Sequence, residues 1–188
     1  MNPERWKERY GFINATIPRF ARLDRPVIAA INGNAIGIGM VLAGLCDMRV
    51  ASEEAQFSCP EIDYGLVTGG AGLFAMLKMP EAKMREILFT GRKFTARELE
   101  PTGYFNYVMP KAEVVPNALE LASAIAIAAK SLPAIRARKV ASLGLEGRSW
   151  MEAYLDAQAP SAQLATGADG GEAVRAFLER RAPQLRDR

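Results

Sequence analysis

Gly37-Ile38-Gly39 follows a short apolar run, and the chemistry it allows is that of a backbone amide rather than a side chain. PVIAAI (Pro26 to Ile31) is apolar and partly β-branched, opened by proline and closed by Asn32-Gly33-Asn34, a pattern that predicts a buried strand ending in a tight turn. The AIGIGMVLAGLC that follows predicts a helix from about Ile38. A strand, a turn and a helix in this order leave the helix's first N–H groups unpaired at the strand's carboxyl end. The amide of Ile38 is one of them, and Gly37 and Gly39, lacking Cβ, let a ligand's polar atom approach it. Such a helix head suits developing negative charge. Two other readings fit the same residues. Glycines before a buried helix also serve close helix–sheet packing. Gly37-Ile38-Gly39 with Ala43 further imitates a dinucleotide fingerprint, although Leu42 stands where the third glycine belongs.

The chain contains no histidine. Histidine bases, Ser-His-Asp triads and His-ligated metals are thereby excluded, and any proton must move through Asp, Glu, Tyr, Lys, Cys or water. Glu61 and Asp63 follow Pro60 and would share a face if the segment were extended. A proline followed by an acid is also a common solvent-facing turn or cap. Cys46 and Cys59 have the spacing of neither a zinc site nor a disulfide framework and read as buried thiols. No metal is expected.

The elements that must position these groups belong to one domain, since 188 residues with 49% hydrophobic content can bury a sizeable core. Trp6, Tyr10, Ile13, Ile17 and Phe20 recur at helical spacing, in a helix bent near Pro18. A second strand is expected in CDMRVA. Leu73 to Lys78 and Glu81 to Phe89 read as helices broken at Pro80, Thr95 to Glu100 as a capped turn of helix, and Tyr104 to Met109 as a small strand. Leu119 to Ala129 marks an alanine-rich amphipathic helix, Pro133 opens another to about Leu145, and Ser149 caps a third. Asp169-Gly170-Gly171 separates that one from a last helix carrying Val174, Phe177 and Leu178. Pro3-Glu4-Arg5-Trp6 leaves no signal-peptide core, and the longest apolar run, Ala35 to Cys46, is too short to span a bilayer. A cytoplasmic protein is expected, without membrane contact. A net charge of +3, with no basic run interleaved with aromatics, points away from nucleic acid.

Read together, the strand PVIAA, N-G-x-A-x-G-x-G, C-D-x-R-x-A-S, A-x-F-x-x-P-E and G-x-x-x-G-G-A-G resemble, in order and spacing, the enoyl-CoA hydratase/isomerase (crotonase) family. Lys83 to Ala96 (KMREILFTGRKFTA) is similar to the family's helix and T-G turn, and Gly170 to Pro183 (GGEAVRAFLERRAP) to its C-terminal helix. The resemblance implies an α/β fold with a crotonase-like (ClpP/crotonase) β-β-α superhelix core in residues 1–110 and a C-terminal helical oligomerisation region of the same domain in residues 111–188. It implies an acyl-CoA thioester as substrate, with coenzyme A part of that substrate and no separate cofactor. A homo-oligomer follows from it, a trimer or dimer of trimers.

The resemblance also assigns residues. Ile38 supplies an oxyanion amide and Glu61 the base, while Ala35, Gly37, Met40, Val41, Val67, Gly69, Phe177 and Arg180 contact the substrate, the last two through the CoA moiety. Family hydratases use two glutamates, and the position of the first is Val41 here. One carboxylate suffices to move a proton from C2 to C4, which implies an isomerase-like enzyme. Decarboxylation, thioester hydrolysis, or binding of an acyl-CoA with little turnover are the alternatives on this scaffold. The family's opening strands and A-F-x-x-G-x-D loop, which carries another oxyanion amide, have no counterpart before the first helix, and impaired activity is the corresponding expectation.

Overall fold

A computed structural model describes residues 3–64, 78–126, 132–143 and 167–185 of the chain. Contacts divide it into two units, Met1–Leu23 with Val27–Leu119, and Asp24–Pro26 with Glu120–Arg188.

The first unit opens with helix α1 (Pro3–Ala21), which contains Pro18, and then strand β1 (Ile28–Ile31), β2 (Ala35–Ile36), helix α2 (Ile38–Leu45), β3 (Met48–Ser52) and β4 (Gln56–Ser58). A five-residue 3-10 helix, Pro60–Tyr64, comes next. Beyond residues 65–77 follow α3 (Glu81–Thr90), β5 (Phe94–Thr95), α4 (Ala96–Leu99), a 3-10 turn at Glu100–Thr102, β6 (Tyr107–Met109) and α5 (Lys111–Ala126), which runs on into the second unit. Two small sheets result. In one, β3 lies between β1 and β6, all parallel, with Ile28 opposite Met48 and Val50 opposite Tyr107. In the other, β4 pairs in parallel with β2 and antiparallel with β5, so that Phe57 lies beside both Ala35 and Phe94.

Parallel strands covered by helices read as continuous apolar runs, which is why Ile28–Ile31 and Val50–Ala51 show no alternation. The main core gathers Met40, Phe57, Cys59, Ile87, Phe94, Leu99 and Tyr104, all essentially without solvent contact. A smaller cluster joins Val41 of α2 to Ile17 of α1, with Ile13, Leu42 and Leu45 at its margin.

A buried cation fixes the far end of α2. The Arg49 guanidinium donates to the carbonyl of Tyr104 through Nε, and through Nη1 to those of Cys46 at 2.7 Å, Gly44 at 3.4 Å and Ala43 at 3.5 Å. These oxygens include the last carbonyls of α2, which carry its negative dipole end; that of Ala43 also accepts the capping Cys46 amide at 3.2 Å. Burial pushes the Arg49 pKa down, and Tyr104, Cys46 and Asp47 oppose that shift. The Tyr104 hydroxyl donates to the Met40 carbonyl at 3.1 Å, and its ring lies under the guanidinium at 4.8 Å. Asp47 accepts the Val27 amide at 2.8 Å, tying the end of α2 to the start of β1.

The second unit holds α6 (Leu132–Leu143) and α7 (Ala168–Leu178). Asp24 pairs with Arg136 at 3.0 Å. Helix α7 closes with Arg180 at φ 52°, the left-handed region, while the Arg181 amide reaches back to the Ala176 carbonyl at 3.0 Å, the bond of a Schellman end. Arg181 also holds Glu172 at 2.6 Å, and this pairing depresses the Glu172 carboxyl to about 2.

Three expectations shift. Tyr104 and Phe105 turn into the core, so β6 spans only Tyr107–Met109. Helix α5 begins at Lys111 and tolerates Pro116, where the amphipathic pattern alone suggested Leu119. Asp169, Gly170 and Gly171 lie inside the first turn of α7 rather than ahead of it, with Asp169 placed favourably at the positive end. The expected helices over Leu73 to Lys78 and after Ser149 lie outside the described residues, apart from Lys78.

Replacing Arg49 by lysine keeps the charge but cannot span Tyr104 and Cys46 together, leaving a buried carbonyl unpaired. Urea unfolding of Arg49→Lys should show a loss of about 2–3 kcal/mol. A change below about 0.5 kcal/mol would mean the fork does not hold α2.

Candidate active site at the head of helix α2

Gly37 caps α2 with φ 55° and ψ −120°, a conformation open to glycine and strained for other residues. Its amide donates to the Ser58 carbonyl at 2.8 Å, which ties the helix head to β4. Its own carbonyl accepts the amides of Met40 at 2.9 Å and Val41 at 3.2 Å. The amides of Ile38 and Gly39 then have no backbone acceptor among the described residues, as expected for the first positions of a helix. Ile38 itself is 39% exposed, so the first residue of the helix lies at the surface.

The 3-10 helix brings Glu61 to this point. A Cβ built on Gly37 would lie 2.8 Å from Glu61 Oε1 and 3.6 Å from its Cδ, so the carboxylate rests on the glycine's bare backbone. A half-buried carboxylate at a helix N-terminus is in a favourable field. Proton acceptor and amide donors are thereby adjacent. Cys59, fully buried two residues earlier, has its Sγ 4.0 Å from Met40 Sδ, and burial followed by the charge of Glu61 pushes its thiol up to about 12. It is therefore a neutral packing group rather than a nucleophile. Ser58 Oγ is also buried and has no hydrogen-bond partner among the described residues.

The structure thus brings together Ile38, Gly37, Glu61 and, through Cys59, Met40. Ala35 is buried in β2 opposite Phe57. Val41 is 3% exposed and faces Ile17 of α1, in a cluster separate from the one that holds Met40 and Cys59. Val67 and Gly69 lie outside the described residues. Phe177 belongs to α7, and Arg180, exposed, follows it in the second unit.

Asp63 needs correction as an alternative acid. Its segment is 3-10 helical, not extended, and at about 120° per residue two positions apart no longer share a face. The Asp63 carboxylate lies instead against Gly91, at 3.2 and 3.3 Å from where a Cβ would stand. Gly91 and Arg49 are the contributors that residue chemistry alone did not single out. The T-G turn at Thr90-Gly91 and the arginine of C-D-x-R were visible only as motif letters.

A groove of about 440 Å³ runs along β1 and α2, lined by Phe20, Ile31, Asn32, Gly39 and Leu42 among others, and reaches the loop that enters the helix head. Among the described residues no cluster of His, Cys, Asp and Glu could hold a metal, and no helix is long and apolar enough to cross a membrane.

The model of the enoyl-CoA hydratase/isomerase family matches residues 13–188, and the chain belongs to that family. The 2,3-dehydroadipyl-CoA hydratase of Escherichia coli is 32% identical over 187 residues, covering 97% of this chain and 72% of that protein. Carnitinyl-CoA dehydratase of Proteus mirabilis is 36% identical over 172 residues, covering 88% and 65%. The crystal structure of enoyl-CoA hydratase from Bacillus anthracis superposes with a TM-score of 0.92 at 28% identity, covering 100% of this chain and 72% of that one. The fold is therefore the crotonase fold. The chain spans about two thirds of the length of the curated relatives it matches.

Gly37→Ala adds left-handed strain and a methyl group that must displace Glu61. It should cost about 1–2 kcal/mol in urea unfolding. Glu61→Ala in the same chain should return at least about 0.5 kcal/mol of that loss, and strict additivity would mean that the two groups do not touch.

Proposed function

We propose that the chain performs enolate chemistry on an acyl-CoA thioester, with the Ile38 amide receiving the thioester oxygen and Glu61 moving the proton. The observation that carries this reading is the carboxylate of Glu61 resting on Gly37, one residue from the helix-head amide of Ile38, a residue at the surface. Glu61 removes a proton from C2 of a 3-enoyl thioester. The electron pair forms the C1–C2 double bond and moves charge onto the oxygen. Collapse of that enolate then takes the proton back at C4, leaving the double bond at C2–C3. One well-placed amide contributes roughly 3–4 kcal/mol to such a transition state.

The isomerase-like reading rests on position 41. The first of the two glutamates that family hydratases use is valine here, and its side chain is covered by Ile17. Water activation by two carboxylates is therefore not supported, although the relatives named above are a hydratase and a dehydratase. CoA is part of the substrate and no separate cofactor is proposed. Phe177 and Arg180 are proposed to meet the CoA moiety in a homo-oligomer, trimer or dimer of trimers, in the cytoplasm. Arg180 supports this by its exposure and by standing at a helix C-terminus beside Arg181, whose charge is already engaged with Glu172.

Glu61→Gln should slow deuterium exchange at C2 of a CoA thioester about 10²–10⁴-fold while leaving its affinity within about threefold. Unchanged exchange would remove Glu61 from the mechanism, and tight binding without exchange in the unaltered chain would favour an acyl-CoA-binding protein. Arg180→Gly separates folding from ligand contact. It relieves the left-handed strain and should raise stability by up to about 1 kcal/mol, yet weaken CoA esters more than pantetheine esters. Equal weakening of both esters would confine Arg180 to packing.

A further inference from the structure

We infer that Gly91, at the end of α3, is a positioning residue that seats the 3-10 helix and so sets where the Glu61 carboxylate stands. The inference rests on the reading of Glu61 as proton carrier, but its geometry is independent of turnover. A single 3-10 turn has poor internal hydrogen bonding and does not hold its own orientation. Pro60–Tyr64 is such a turn, and its neighbours must define it.

On one side stands the head of α2, where Glu61 meets Gly37. On another is the end of α3, which packs directly against the turn. There Gly91 adopts φ 60°, its amide donating to the Ile87 carbonyl at 3.1 Å, and Ile87 is fully buried in the core with Phe57 and Phe94. The end of α3 is therefore a fixed surface. A Cβ on Gly91 would lie 3.0 Å from Ile62 Cγ2, 3.2 Å from Asp63 Oδ2 and 3.3 Å from Asp63 Oδ1. Ile62 and Asp63 are the two residues that follow Glu61. Two glycines, both at positive φ, thus grip the turn from opposite partners, one touching the carboxylate and the other its support.

The core around Ile87 holds the end of α3 in place, so a methyl group at position 91 would press on the side chains of Ile62 and Asp63, which must give by a few tenths of an ångström. That motion rotates the short turn. The Glu61 carboxylate is carried away from Gly37, and its alignment with a substrate carbon held at the α2 head is lost. A displacement of about 1 Å in such a constellation costs up to roughly 10²-fold in rate, so a shift of a few tenths should cost about tenfold.

The test follows the amide NMR shifts of Gly37 and Ile38 as Glu61 is titrated in the full chain. Cys59 and Asp63 are the other titratable groups close by, and Glu61→Gln identifies the part of the response that belongs to Glu61. Gly91→Ala should roughly halve that response. Gly91→Asn tolerates the left-handed conformation while still carrying a Cβ, so it keeps the test available if the alanine variant folds poorly, and it should behave the same way. Adding Ile62→Ala, which removes the crowded Cγ2, should restore the response. C2 deuterium exchange on a CoA thioester should fall about tenfold in the Gly91 variants, with affinity changed less than about twofold, and recover with Ile62→Ala. An undiminished amide response in both Gly91 variants, or no recovery with Ile62→Ala, overturns the inference. Absence of exchange in the unaltered chain would sink the enolate reading alone, since the amide response still decides whether Gly91 positions Glu61.

Discussion

Helix α2 is eight residues long, and a helix of that length does not persist in water on its own. Everything proposed at its head depends on the contacts that hold both of its ends. At the C-terminal end the buried Arg49 guanidinium gathers carbonyls from Ala43, Gly44 and Cys46 and ties them to Tyr104. At the N-terminal end the Gly37 amide is bonded to β4 and the Glu61 carboxylate lies on Gly37. The charges are placed in the sense the helix dipole favours, a cation at its negative end and an anion at its positive end. A buried lone guanidinium would be costly, and its hydrogen bonds to these carbonyls offset that cost.

The two ends are tuned differently because they do different work. Arg49 is almost wholly enclosed, which makes its bonds strong and its geometry fixed. Glu61 is only half-buried and Ile38 is exposed, so this end of the helix lies nearer solvent than the end held by Arg49. Cys59, which sits between the core and Glu61, carries no charge near neutrality, since its thiol is pushed up to about 12. Among the described residues Cys59 therefore adds no second charge beside Glu61.

Much of this was legible in the sequence, and for physical reasons. The strand, turn and helix over Pro26 to Cys46 follow from local patterns of glycine, asparagine and apolar residues, and the order of motifs identified the fold. The capped turn at Thr95 was also readable, and Thr95 and Glu98 make the reciprocal capping box that their spacing suggests. What escaped were features set by contacts distant in sequence. Asp63 was placed beside Glu61 on the assumption of extended backbone, because nothing local in Pro60-Glu61-Ile62-Asp63-Tyr64 announces a 3-10 turn. Gly91 reads as an ordinary helix stop until its missing Cβ is seen to make space for Ile62 and Asp63. Arg49 reads only as a residue of the strand CDMRVA, and the fold reveals that its guanidinium gathers the carbonyls at the end of α2.

Position 41 shows how far packing and chemistry constrain each other at this site. Residues three apart on a helix lie on neighbouring faces, so Val41 stands one turn below Ile38, the open residue at the head. Yet Val41 is covered by Ile17, with Ile13 beside it, and the first turn of α2 is consequently exposed above and sealed below. A carboxylate at 41 would be buried against two isoleucines, and burying a charge in such apolar surroundings costs several kcal/mol. Valine satisfies that packing at no such cost. The apolar stripe of α1 thereby accounts for valine at position 41, and among the described residues the acid that meets the helix head is Glu61 of the 3-10 turn. The proton-carrying role proposed for Glu61 then rests on where α1 packs as much as on the residue at position 61 itself.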